Sequence, residues 1–493
     1  MRTDTEPQGL HWKRKPVPEL VRLAWPIAVS MLSYSVMTLT STLFVGRLGA
    51  PALAGVSLGG LAAFALIIFG FGLLRSVKVL VSQATGAQRP DEIPASIGAG
   101  LIVATGLGLL AIVLGRLAVG YLPALAATPE AGSSAAVYLS MRNLGAPFAL
   151  VSIALSESRY GIGDSRSPLW AALGANVTNI ALDAVLIFGL GLGVRGAGIA
   201  AALGHVVEVA LLLRACRTPG IGLAAVRLRH LGELLRLGVP LGLQFTLEIG
   251  SFSLLVVMLA RIGDADLAAH QIALQLTHLS FLPALAVGEA ACVLVGQAVG
   301  AGEDGLVRNL ARKAVGIAAG YSLACAVVFL AFADVIPAMF TTDPQVRLTT
   351  ARLLRIAAAF QLFDAGNAVA RSVLRGTGDV RYAAIVAVLS AWAATPPLTW
   401  LLGFRMGLGA MGGWLGLTVE VVVGCVLLWW RLERGHWKAG AALCRERLGV
   451  RAQVQTAEAE LPLLIAGPSQ ILDPVLAELP RRRSDRGSPR RAS

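Results

Sequence analysis

The chain carries its apolar residues in blocks of twenty or more, separated by short polar links. Few folds can accommodate that arrangement. A bilayer core takes roughly 20 apolar residues per helical crossing, and only helices and closed barrels satisfy every backbone polar group in lipid. Barrel strands alternate in polarity and run about 10 residues, so blocks of this length exclude a barrel. Charged residues make up only 14% of the chain and hydrophobic ones 56%, whereas a soluble domain carries about 25% charge. The expectation is an all-α integral membrane protein.

Twelve spans are expected, near 19–46, 52–80, 94–118, 134–157, 168–191, 194–215, 234–262, 267–298, 312–337, 349–373, 381–404 and 409–432. Residues 1–18 are polar, and the apolar block after them is too long for the core of a cleavable signal peptide. Twelve crossings put both ends on one side. One set of links holds Lys13–Lys15, Arg159 with Arg166, Arg214 to Arg236, Arg308 to Lys313, Arg371 to Arg381, and Arg431 onward. The other holds little more than Arg47, Arg195, Arg261 and Arg405. The bias of basic residues toward the cytoplasm therefore puts both termini there, in a plasma membrane protein. The net charge of +13 is then assigned to loops and tail facing lipid headgroups, with no nucleic acid partner. The basic tail, 433–493, reads as solvated and partly disordered. The five cysteines show neither CxxC nor metal spacing.

The chain also repeats itself. Pro26 in LVRLAWP recurs as Pro240 in LLRLGVP, Gln83 in VSQATGA as Gln297 in VGQAVGA, and GIGDSR at 161–166 as GTGDVR at 376–381. The offset stays at 214 or 215. Two six-helix halves follow, 19–215 and 234–432, joined by a cytoplasmic linker at 216–233 after the N-terminal segment 1–18. An even number of crossings per half makes the repeats parallel, an arrangement suited to a transporter that rocks two lobes about a central site.

Ionisable residues inside a membrane cost roughly 2.5–3.5 kcal/mol on insertion scales and face a cavity or a partner. Span 7 places Gln244, Glu248 and Ser251 on one helical face, span 8 places Gln271, Gln275 and His278, and span 10 carries Gln361, Asp364 and Asn367. Glu248 and Asp364 form a carboxylate pair that must bind a cation or share protons, the chemistry of a coupling-ion site. Asn176, Asn179 and Asp183 share one face of span 5 and make a separate polar site in the first half. Tyr34, Gln244, Gln275 and His278 are candidate substrate contacts. Arg75 and Lys78 read as snorkelling to headgroups; the sharper expectation is a Lys78–Asp183 ion pair. Glu208, near His205, and Glu289 have no assigned partner.

These residues and the strings VGRLG (45–49), LVSQATG (80–86), RYGIGDSRSP (159–168), NIALDAVLIFG (179–189), DLAAHQIAL (266–274), LVGQAVGAG (294–302) and LRGTGDVR (374–381) resemble the multidrug and toxic compound extrusion (MATE) family over residues 15–435. The resemblance implies a V-shaped pair of six-helix lobes and efflux of drugs or organic cations in exchange for Na+ or H+. It places Glu248 and Asp364 at the cation-site acids of NorM-like members, and Asn179 and Asp183 at polar positions of DinF-like ones. Ser41 stands where most members have Asp, Phe360 where NorM-like members often have Tyr, and Arg75 and Lys78 are unusual for span 2.

Rival readings are a lipid-linked oligosaccharide flippase of the same superfamily, which calls for a basic cavity, and an intramembrane aspartyl protease, for which the GxGD residues Asp164 and Asp379 would be the pair. No P-loop or HExxH is present. The expected protein is therefore a non-enzymatic secondary antiporter, monomeric, that meets a small organic substrate and membrane lipids, with Na+ or H+ as coupling ion and no other cofactor.

Overall fold

A computed structural model describes residues 10–217 and 220–449. Its long helices are α1 (Pro16–Gly46), α2 (Ala50–Gly86), α3 (Glu92–Val119), α4 (Pro129–Gly161), α5 (Arg166–Gly189), α6 (Gly193–Ala215), α7 (Leu228–Ile262), α8 (Asp264–Gly300), α9 (Asp304–Ala331), α10 (Pro344–Gly376), α11 (Val380–Arg405) and α12 (Ala410–Arg434). Eleven of them are long and apolar enough to cross a membrane. The exception, α10, has 33 residues but carries Arg347, Arg352, Arg355, Asp364, Arg371 and Arg375. It packs against α8, α9 and α12, and Arg375 is buried there, whereas Arg347, Arg352 and Arg355 are exposed. Arg347, Arg352 and Arg355 lie in its first turns, at the end opposite the basic links. The charge asymmetry between the faces is therefore smaller than the links alone indicate.

Helix ends follow local chemistry. Proline opens α1, α4 and α10, where its missing N–H costs nothing. Asp343 caps α10 by accepting from the backbone amides of Gln345 and Val346. Gly435, at φ +75°, ends α12 in the left-handed region. Residues 332–337, expected to close the ninth span, form a turn and the start of a 3-10 helix, Ile336–Met339.

The duplication is visible in the backbone. Both α5 and α11 end in π-helical turns, Ala184–Gly189 and Thr399–Arg405. The two GxGD links turn through equivalent glycines, Gly163 at φ +89° and Gly378 at φ +85°. The halves meet where α1 and the end of α2 pack on α8. There Ser82, Gln83 and Gly86 cross against Gly296, Gln297 and Gly300, backbone to backbone. The Trp12 indole donates to Gln297 Oε1 at 2.8 Å, and Gln83 Nε2 donates to the Gly376 carbonyl at 3.1 Å. Small residues permit this approach. The halves also touch through Gly72, Gly238 and Gly242, along α2 and α7.

The segment read as a solvated tail begins with structure. Helix α13 (Lys438–Arg447) buries Trp437 and Cys444. Arg445 pairs with Asp304 at 2.6 Å, and Arg447 donates to Gln83 Oε1 at 3.2 Å. This helix is therefore fastened to both halves. The rest of the tail, 450–493, and residues 1–9 lie outside the described residues.

Candidate functional site

In the second half, α7 and α10 bring their polar faces together. Glu248 accepts from Arg371 Nη1 through Oε1 at 2.7 Å and from Gln244 Nε2 through Oε2 at 3.4 Å. Arg371 Nη2 reaches the Asn367 side-chain carbonyl at 3.4 Å. Asp364 lies in the field of Arg371 and of Glu420, a carboxylate from α12. Thr395 on α11 donates its hydroxyl to Glu420. Arg371, which the links assigned to the cytoplasmic surface, thus sits inside α10 and holds Glu248. The carboxylates near this centre are three rather than the expected pair, and one is already neutralised. Ser251 anchors α7 to α11 by donating to the Ala391 carbonyl at 3.2 Å.

A cavity of about 360 Å³ opens beside these residues. Phe64, Ile68 and Phe71 of α2 form its first-half wall, and Phe245, Glu248, Thr395 and Glu420 are among its second-half lining. Phe71 and Phe245 meet edge to face across the halves, with ring centroids 5.5 Å apart. The chamber is therefore aromatic on one side and carboxylate-lined on the other, the usual composition of a small-molecule site. Gln244 is buried behind Glu248; Gln275 and His278 lie on an exposed stripe of α8 with Gln271, and none of these side chains lines the chamber. Phe360 packs in the core against Trp414, centroids 5.9 Å apart.

In the first half, α5 turns Asn176, Asn179 and Asp183 toward α1. Ser41 donates to Asp183 at 2.5 Å and approaches Asn179 Oδ1 at 3.2 Å, while Asn176 donates to Ser33 at 2.9 Å. The hydroxyl of Ser41 thereby occupies the space between Asn179 and Asp183. Tyr34 is exposed and interacts with Arg142, whose Nη1 donates to Tyr138 at 2.8 Å. His205 and Glu208 pair at 3.3 Å on α6.

Lys78 does not reach Asp183, and neither it nor Arg75 snorkels. Lys78 is 0% exposed, bound to Glu289 of α8 at 2.5 Å and to Glu157 of α4 at 2.7 Å. Arg75 also pairs with Glu289, as does Arg375 of α10 at 3.0 Å. Glu289, without an assigned partner in the sequence, is the centre of a buried ion cluster joining the halves. A charge buried this deeply persists only when paired and hydrogen-bonded. Above the cluster, the Arg75 guanidinium lies 5.5 Å from the ring centroids of both Phe71 and Phe245, the aromatic pair of the chamber.

The aspartates of the GxGD links are surface fasteners. Asp164 pairs with Arg159 and caps α5 through the amides of Arg166 and Ser167. Asp379 accepts from Arg431 Nε at 2.5 Å. Each is committed to its own half's arginine, so the pair needed for aspartyl proteolysis is absent. Two residues escaped the sequence reading. Arg371 shares the helical face of Asp364 and Asn367 and was legible from that spacing. Glu420, a lone carboxylate in the apolar twelfth span, was legible as an ionisable residue inside the membrane, but only the fold brings α12 beside α7.

The MatE family model matches residues 26–185 and again residues 240–401, one match in each half. A protein of Pseudomonas putida described as a probable multidrug resistance protein NorM is 32% identical over 443 residues, 85% of this chain and 96% of that protein. Among solved structures, a eukaryotic MATE transporter superposes with a TM-score of 0.80 at 21% identity, covering 88% of this chain and 99% of its own. An outward-facing multidrug resistance MATE transporter gives 0.79 at 21% identity, covering 86% and 97%. Those likenesses carry the fold, twelve helices in two lobes, and the sequence matches carry the kinship: the chain belongs to the MATE family of transporters.

Proposed function

We propose that the protein is a multidrug efflux antiporter of the plasma membrane, with both termini cytoplasmic, that exports organic cations in exchange for H+ or Na+. The observation that carries this reading is the chamber between the lobes, aromatic on the α2 side and acidic on the Glu248–Glu420 side. Planar organic cations match such a wall by stacking and by charge. An anionic lipid-linked substrate fits less well, since the charged residues that line this chamber are the carboxylates Glu248 and Glu420.

Coupling falls to the acids of the second half. Binding of the exchanged cation at Asp364, Glu248 or Glu420 neutralises negative charge that otherwise holds the substrate, and shifts α7 and α8 against α2. Ion and substrate affinities are then linked reciprocally. Asn176, Asn179 and Asp183 supply a second polar cluster in the first lobe. The separation into lobes 19–215 and 234–432, with the basic links inside the cell, gives the lobes their rocking parts.

The test is uptake of ethidium, a fluorescent organic cation, into proteoliposomes under a pH gradient or a Na+ gradient imposed separately. Gradient-driven movement that Asp364→Asn and Glu248→Gln abolish supports the reading. If both variants transport normally, the site is wrong. Folded wild-type protein that moves nothing under either gradient turns the assignment toward the flippase.

A further inference from the structure

Both oxygens of Glu248 are already engaged, one by the Arg371 guanidinium at 2.7 Å and one by the Gln244 amide at 3.4 Å. Hard cations need a shell of oxygens. Here the carboxylate presents its oxygens to N–H donors, and one of those donors, the Arg371 guanidinium, carries a positive charge of its own. A sodium ion would have to evict Arg371, whose other contact is the Asn367 carbonyl at 3.4 Å. Glu248, held in this way, therefore does not fit Na+.

We propose that Arg371 is the resident cation of the second-lobe acid site, so that this transporter couples to protons and not to sodium; the proposal rests on the efflux reading above. The guanidinium takes the place of the exchanged metal ion at Glu248 and stays with the chain throughout the cycle. What remains for exchange is the pair Asp364 and Glu420. The charge of Arg371 acts on both, and that of Glu420 acts on Asp364. The groups facing them are Glu248 from α7, Thr395 from α11, Cys425 from α12, and Asn367 and Arg371 from α10. The facing wall of α2 is Phe64, Ile68 and Phe71, which supplies no charge. Like charges held together in such surroundings share a proton. A proton needs a single oxygen lone pair and no coordination shell, so it is the cation that this set of side chains can accept and release.

Arg371 thereby acts as a specificity-determining residue for the coupling ion. Removing it uncovers Glu248 beside Asp364 and Glu420, three carboxylates with oxygen neighbours Asn367 and Thr395. That set resembles what a monovalent metal ion requires.

The experiment measures equilibrium binding of radioactive sodium to the purified full-length protein in detergent, alongside ethidium transport in proteoliposomes. Wild type is expected to bind no sodium above the Glu248→Gln background and to ignore an imposed Na+ gradient while responding to a pH gradient. Arg371→Ala is expected to gain Glu248-dependent sodium binding, with apparent affinity at least about tenfold above wild type. Arg371→Lys, which keeps the charge, is expected to stay at the wild-type level. Wild-type sodium binding that Glu248→Gln removes, or wild-type transport driven by Na+, overturns the proposal. So does Arg371→Ala protein that is folded and still binds no sodium. Should Arg371→Ala fail to fold, the wild-type and Arg371→Lys measurements decide by the same criteria. If no gradient moves ethidium, the efflux reading falls, and the binding measurement still judges the role of Arg371.

Discussion

Gly86 and Gln297 touch so closely that a Cβ on Gly86 would stand 1.9 Å from the Gln297 carbonyl oxygen. The duplication places Gly300 against Gln83 in the same way, at 2.0 Å. Gly86→Ala is therefore expected to force the two lobes apart at this crossing. Overpacking of this kind costs about 1–3 kcal/mol or more. Thermal denaturation in detergent should show a clear loss for Gly86→Ala and Gly300→Ala. Gly106→Ala, where a Cβ meets nothing within 4 Å, should melt like wild type. Equal melting of all three would mean that the crossing is not this tight.

Glu289 faces three cations, Arg75, Lys78 and Arg375. Glu289→Gln leaves them buried together with only Glu157 as counter-charge. Stranding buried charge costs about 3–5 kcal/mol, so the variant should unfold at markedly lower denaturant or temperature. Lys78→Met in the same background should recover part of the loss. A double variant as unstable as the sum of the singles would show that the residues do not act as one cluster.

Glu420 has Thr395 as its hydrogen-bond donor and shares the chamber wall with Glu248. On the antiport reading, Glu420→Gln should cut gradient-driven ethidium transport by about tenfold or more. Thr395→Val, which leaves the carboxylate in place, should cost less. Initial rates in proteoliposomes at matched protein content separate the two. A Glu420→Gln protein with normal rates would remove this residue from the coupling set.

Cys444 reports on the docking of α13. Burial pushes its thiol up to about 11, so little thiolate forms at neutral pH. In a single-cysteine background, maleimide should label Cys444 slowly in the folded protein and quickly in denaturing detergent. Arg445→Ala, which breaks the tie to Asp304, should speed labelling of the folded form. Rapid labelling of the unmodified helix would mean that α13 is undocked.

At the Asp164 link, burial raises the carboxyl's pKa. The Ser167 hydroxyl and amide, with Arg159, outweigh that and hold it below its ordinary value. A depressed folded pKa contributes stability above the unfolded value and loses it as pH falls through the folded one. The contribution should thus persist at neutral pH and disappear only below pH about 4. Asp164→Asn should cost about 0.5–2 kcal/mol at neutral pH, the scale of a lost helix cap. The two proteins should converge in acid, and a difference that stays constant with pH would rule out this ionisation as its source.

The spans were legible because lipid demands an apolar surface from each helix on its own, whatever its neighbours. The i, i+4 spacing of Gln244 and Glu248 likewise became a contact, since one helix decides it. Contacts between helices were not legible in the same way. Lys78 and Glu289 are separated by 211 positions, and nothing in the chain marks them as partners; the lysine was set against Asp183 instead, on charge alone. Arg371 was set aside because it lies near a basic link, although its spacing from Asp364 and Asn367 put it on their face. The start of the tail was misjudged because Trp437 and Cys444 are too few to form an apolar face by themselves. They become buried only against surfaces that the rest of the fold supplies.

The cluster around Glu289 joins the lobes, yet each lobe also holds an ion pair of its own within it. Lys78 and its partner Glu157 both belong to the first lobe, and Glu289 and its partner Arg375 both belong to the second. A motion that parts the lobes at this face can therefore leave each surface with a cation and an anion already in contact. Arg75, whose ion pair is with Glu289, keeps the field of Glu157 in its own lobe and carries Phe71 with it as a ring to rest on. The joint behaves like a seam cut through matched pairs: firm while closed, and separable without either side having to find new company.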